Sequence, residues 1–103
     1  MMRDNISGAY RSAVCDTVIF DNQPSKEVEY LKRMDYVVRS LRAASRRLPS
    51  SLNGAMLPGA AFLAQALTEL EDARSLLEGG DTNLSRVLRL SAAQNLELSL
   101  IHI

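Results

Sequence analysis

Few residues in this chain could do chemistry. Cys15 is the only cysteine and His102 the only histidine. Nucleophilic catalysis needs a nucleophile, a base within reach and a group that orients the base. Cys15 has only His102, the second-last residue, to activate it, so a small core-facing thiol is the expected role. A zinc site needs several Cys or His ligands, and a helical di-iron site needs Glu-x-x-His pairs; the sequence contains neither. Glu69, Glu71 and Asp72 cluster in sequence, but on a helix they spread around the polar face instead of converging. The glycine-containing stretches "EGGDTN" and "LPGAAF" match neither a dinucleotide fingerprint nor a P-loop. No catalytic residue, metal or cofactor is expected.

The charge feature that remains is "RSLRAASRR". Between Tyr36 and Arg47 there are four arginines and no acid, and Arg39, Arg42 and Arg46 share one helical stripe. With Arg47 they form the candidate anion-binding surface, since a guanidinium fork grips phosphate or carboxylate in a plane. Two quieter roles compete. Asp35 precedes Arg39 by four residues, in the favourable order for an ion pair, and arginines near a helix C-terminus complement the dipole. Acids of the following helix could also face Lys32 and Arg33. Nucleic acid is the natural ligand of such a stripe, and for the chain as a whole this expectation stands second to protein–protein interaction. The chain has few aromatics and none between these arginines, and no helix-turn-helix pattern. Its 12 basic residues are balanced by 12 acidic ones.

The elements that must position these groups read as helices. In "PSKEVEYLKRMDYVVRSLRAASRRLP", Val28, Leu31, Met34, Val38, Leu41 and Leu48 recur at three- and four-residue steps with Ser45 interrupting, which predicts a core-facing helix over 24–47. Pro24 suits a first turn with Asn22 or Gln23 as cap, and Pro49 disfavours helix at Leu48. A second helix is expected from Pro58 to the glycine pair Gly79–Gly80, with Leu63, Leu67, Leu70 and Leu77 as its stripe. Ala60, Ala64, Ala66 and Ala73 allow close approach of a neighbour. A third comes next, capped by Asp81 or Thr82, with Leu84, Val87, Leu88 and Leu90 in its first turns. Residues 4–20 are read as helix on the spacing of Ile6, Tyr10, Ala13, Thr17 and Phe20, although "TVIF" favours strand. The expectation is an all-α, small antiparallel helical bundle of three to four helices.

"LPSSLNGAMLPG" is similar to a loop of the cobalamin adenosyltransferases, which are also helical bundles. The similarity covers that loop alone. The arginine-rich helix that succeeds it in that family is replaced here by "LTELEDARSLL", so no residue role or activity is carried over.

A length of 103 residues fits one domain, and 47% hydrophobic with 23% charged residues is ordinary for a folded globular chain. A lone cysteine fits a reducing compartment, so the expected location is cytoplasmic. The charged N-terminus is no secretion signal and no stretch is apolar enough to span a bilayer, so no membrane association is expected. The last six residues, "LSLIHI", can be encoded by CTG TCT CTT ATA CAC ATC, which resembles the transposon end used to fragment DNA for sequencing. The expected domain is therefore 1–97, truncated at its C-terminus, with 98–103 a non-native tail that removes His102 from the native inventory.

The functional expectation is a non-catalytic helical protein–protein interaction or regulatory module, homo-oligomeric or docked on a partner. Its expected interface is the apolar start of the second long helix, at Met56, Leu57, Phe62, Leu63 and Leu67. That stretch is apolar around more of its circumference than two neighbours would cover.

Overall fold

The computed structural model describes residues 6–11, 25, 27–47, 51–52 and 55–102. Within them lie a short helix α1 (residues 6–11), α2 (Glu27–Arg47), a two-residue pair β1 (Ser51–Leu52) and β2 (Ala55–Met56), α3 (Pro58–Glu78) and α4 (Thr82–Ile101). The architecture is a small all-α bundle. Among the described residues the β feature is the antiparallel register Ser51 to Met56 and Leu52 to Ala55; the sequence between them is Asn-Gly, a dipeptide that favours tight hairpin turns. Cys15, Ala13, Thr17, Phe20, the expected start at Asn22–Pro24, and Leu48–Pro49 lie outside the described residues, as do the side chains of Arg47 and Met56.

Local sequence sets the helix ends. Pro58 occupies the first turn of α3, where its missing N–H costs nothing. At the other end the Asp81 N–H donates to Leu76 O at 2.9 Å and the Gly80 N–H to Leu77 O at 3.1 Å, a Schellman closure that needs one left-handed residue. That residue is Gly80, at φ 89°. Gly79 remains right-handed at φ −78°, so only the second glycine of the pair supplies the left-handed conformation. The Asp81 carboxylate then caps α4, accepting the Leu84 N–H at 3.1 Å.

The α3–α4 pair forms an antiparallel seam with a seven-residue repeat. Gly59, Ala66 and Ala73 on α3 meet Ser85, Ala92 and Ser99 on α4, and all six are buried. Small side chains let the backbones approach, and both terminal serines use that proximity. Ser85 Oγ donates to Ala73 O at 2.7 Å, and Ser99 Oγ donates to Gly59 O at 2.9 Å. Leu63, Leu70 and Leu77 alternate with the small positions of α3, as Arg89 and Leu96 do on α4, filling the space beside the seam. Polar satisfaction continues at its edge, where buried Glu69 accepts from Ser91 and Asn95 of α4.

Among the described residues two clusters form the core. Ile6 and Ala9 of α1, Val38 and Leu41 of α2, Leu63, Ala66 and Leu70 of α3, and Ala92 and Leu96 of α4 make the larger. Tyr30, Met34, Ala73 and Leu77 make the smaller.

The inward stripe of α2 differs from the expected one. Tyr30, Met34, Val38, Leu41 and Ala44 are buried, whereas Val28 is exposed. Each three-residue step falls about 60° short of a full turn, so the two steps from Val28 to Met34 carry Val28 off the core face. The first turns of α4 are also reversed: Leu84, Val87 and Leu90 are exposed, while Ser85 and Arg89 are buried and Leu88 is half-buried. The seam decides this. A leucine at Ser85 would hold apart two backbones that the serine allows to touch. The expected core residue Leu67 lies half-buried against the larger cluster.

Residues 98–101 are the final turn of α4, with Ser99 buried and Leu100 packed on the larger cluster. His102 is exposed and stacks on Phe62, with ring centroids 5.4 Å apart.

Candidate functional site

The structure separates the arginines that the sequence groups. Arg42 donates to Glu71 of α3 in an ion pair, which takes the middle of the stripe out of an anion-binding row. Arg39 and Arg46 are exposed. Asp35 does not serve Arg39: Arg74 of α3 takes it, with Nη2 3.0 Å from Oδ2 and Nε 2.5 Å from Oδ1. Glu78 also approaches Arg74, at 3.0 Å from Nη1. The Arg42–Glu71 and Arg74–Asp35 pairs run across the α2–α3 groove and fix its register, which is a structural task, while Arg74–Glu78 lies within α3.

The exposed row of α2 comprises Val28, Lys32, Tyr36, Arg39, Ala43 and Arg46. Tyr36, 69% exposed, therefore lies on the same face as Lys32, Arg39 and Arg46. An aromatic does accompany these cations, N-terminal to the arginine run, and the three- and four-residue spacing carried that signal.

The expected interface is mostly used by the chain itself. Leu63 is enclosed in the core at 1% exposure and is unavailable to a partner. Leu67 packs on the larger cluster, and Leu57 and Phe62 are half-buried, Phe62 beneath His102. The apolar surplus of α3 is thus covered by α1, α2, α4 and the last residues of the chain. Beside the exposed Val28 and Tyr36 on α2, an apolar patch lies on α4, where Leu84, Val87 and Leu90 are 47%, 60% and 44% exposed. They stand at successive three-residue steps and form one slanting patch.

Sequence reasoning also missed Arg89. This α4 residue is buried beside α2, where Nη1 donates to Tyr30 Oη at 2.9 Å and Nε to Ser85 O at 3.3 Å. No sequence signal separated it from the exposed Arg86.

Among the described residues no group of three or more Cys, His, Asp or Glu side chains could hold a metal ion. None of the described helices is long and apolar enough to cross a membrane. The fold defines a small antiparallel α-helical bundle with two distinct exposed faces, one apolar on α4 and one basic on α2. No family model, curated protein or solved structure matches the chain.

Proposed function

We propose that the chain is a non-catalytic helical docking module of the cytoplasm that pairs with a second polypeptide, first of all a second copy of itself, through the outer face of α4. One observation carries this reading: Leu84, Val87 and Leu90 point to solvent because Ser85 and Arg89 occupy the inward positions. Fully covering a Val or Leu side chain gives about 1.5–3 kcal/mol, and these three are about half uncovered, so a partner gains a few kcal/mol from the patch. An isolated exposed leucine needs no explanation, but a contiguous patch on one helix does.

The patch is its own complement, which favours a second copy. Two α4 helices laid antiparallel about a two-fold axis at Val87 set Val87 on Val87 and Leu84 of each copy beside Leu90 of the other, the self-matching contact that an isologous interface requires. The non-catalytic part of the reading rests on the residue inventory, with one cysteine and one histidine. Size-exclusion chromatography with light scattering on the full chain tests the pairing. Twice the 11.4 kDa chain mass is expected at micromolar concentration and above, and a constant monomer mass at every concentration would overturn it.

A further inference from the structure

The outward face of α2 carries cations and one large aromatic in a single row. Lys32, Tyr36, Arg39, Ala43 and Arg46 succeed one another at alternating four- and three-residue steps, and all are exposed. At 1.5 Å per residue the row from Lys32 to Arg46 is about 21 Å long. The acids of α2 are Glu27, Glu29 and Asp35, and Asp35 is held by Arg74. Beyond Glu29 the row is basic. Next to Tyr36 lies an open depression of about 470 Å³ whose described lining residues are Glu29, Lys32, Arg33, Tyr36 and Val37.

We propose that this face of α2 binds single-stranded nucleic acid, with a base stacked on Tyr36 in the depression and phosphates along Lys32, Arg39 and Arg46. The inference is independent of the docking reading, since it concerns α2 and not α4. Three features select this ligand. The row is too long for one phosphate and suits a polymer of charges. An exposed tyrosine ring can stack only on a base whose face is open, which a duplex does not offer along its length. A membrane-surface helix presents a broad apolar face, and in α2 the large side chains of that kind, Tyr30, Met34, Val38 and Leu41, are buried in the core.

The test is fluorescence anisotropy of a labelled oligothymidylate of roughly twelve nucleotides titrated with the full chain at several salt concentrations. Saturable binding is expected, with log K falling against log salt at a slope of about −2, since each of three neutralised phosphates contributes about −0.7. Replacing both Arg39 and Arg46 by Gln should bring the slope to about −0.7. Tyr36→Ala should weaken binding at least about fivefold with the slope unchanged, while Tyr36→Phe retains affinity. All these positions are exposed, and circular dichroism confirms that each variant folds. No binding at low salt overturns the proposal. So does binding indifferent to Tyr36→Ala, or equal binding to a blunt duplex of the same length or to phosphatidylserine vesicles, because each reports charge attraction alone.

Discussion

Arg89 of α4 and Tyr30 of α2 meet inside the bundle, Nη1 donating to Oη at 2.9 Å with the guanidinium carbon 5.2 Å from the ring centroid. The contact ties α4 to α2, and it does so with a charge that is 1% exposed. A buried cation is costly unless hydrogen-bonded, so loss of its acceptor is felt strongly. Tyr30→Phe should cost about 1.5–3 kcal/mol in urea unfolding. Arg89→Met, which removes the charge and keeps the volume, should cost less than Arg89→Ala, which leaves a cavity. Equal stability of Tyr30→Phe and wild type would show that this bond contributes little.

The α3–α4 seam makes an asymmetric demand on side-chain size. Ala66→Leu places a branched side chain where Ala92 approaches, and should destabilise by about 1–3 kcal/mol through overpacking. Ser85→Ala keeps the size and loses one hydrogen bond to Ala73 O, for about 1 kcal/mol. Thermal melts of the two variants check the order. If Ala66→Leu were tolerated as well as Ser85→Ala, the close approach described for the seam would be wrong.

The two adjacent glycines should respond in opposite ways to alanine. Gly80 sits at φ 89°, where an L side chain is strained, and Gly80→Ala should cost about 1–2 kcal/mol. At Gly79 an added Cβ would meet only Ser75 O at 3.5 Å and Leu76 O at 3.6 Å, which is ordinary contact. Gly79→Ala should be neutral or stabilise by about 0.4–1 kcal/mol, because the unfolded chain loses freedom. The neighbouring cap of α4 is expected to matter too, with Asp81→Ala costing about 0.5–2 kcal/mol. Denaturant midpoints of the three variants give the comparison.

Shortening the chain after Glu97 removes the Ser99 hydrogen bond to Gly59 O, the packing of Leu100 and the His102 stack on Phe62. The shortened chain should melt earlier than the full one, and Phe62 should become more exposed. An unchanged melting temperature would show that these contacts are too weak to matter. Resequencing the source DNA across codon 97, with a library made without transposon adaptors, separately reads the codons beyond Glu97.

Much of this fold was legible because its punctuation is local. Pro58, the Gly79–Gly80 pair and Asp81 each act within one turn of chain, so the limits of α3 and the start of α4 can be read from them directly. The inward faces were less legible. Leu84, Val87 and Leu90 look like core residues by hydrophobicity, and Ser85 and Ser99 look like surface. The order reverses because the facing residues on α3 are Ala73 and Gly59, whose carbonyls a serine can reach. Arg89 was hidden for the same reason, since burial of a cation depends on Tyr30, which lies on another helix. On α2, the expected anion stripe lost Arg42 to Glu71, a partner set by tertiary packing, while Tyr36 joined Lys32, Arg39 and Arg46 by spacing that could have been read from the sequence.

The outer face of α4 is tested most directly by sedimentation equilibrium of the full chain beside its Val87→Glu variant. Val87 is 60% exposed, so a glutamate there leaves the bundle intact while placing a charge in the centre of the patch. The wild-type chain should weigh about twice 11.4 kDa and the variant should sediment as a folded monomer. Identical masses for the two proteins, whether both monomeric or both dimeric, would contradict pairing through this face.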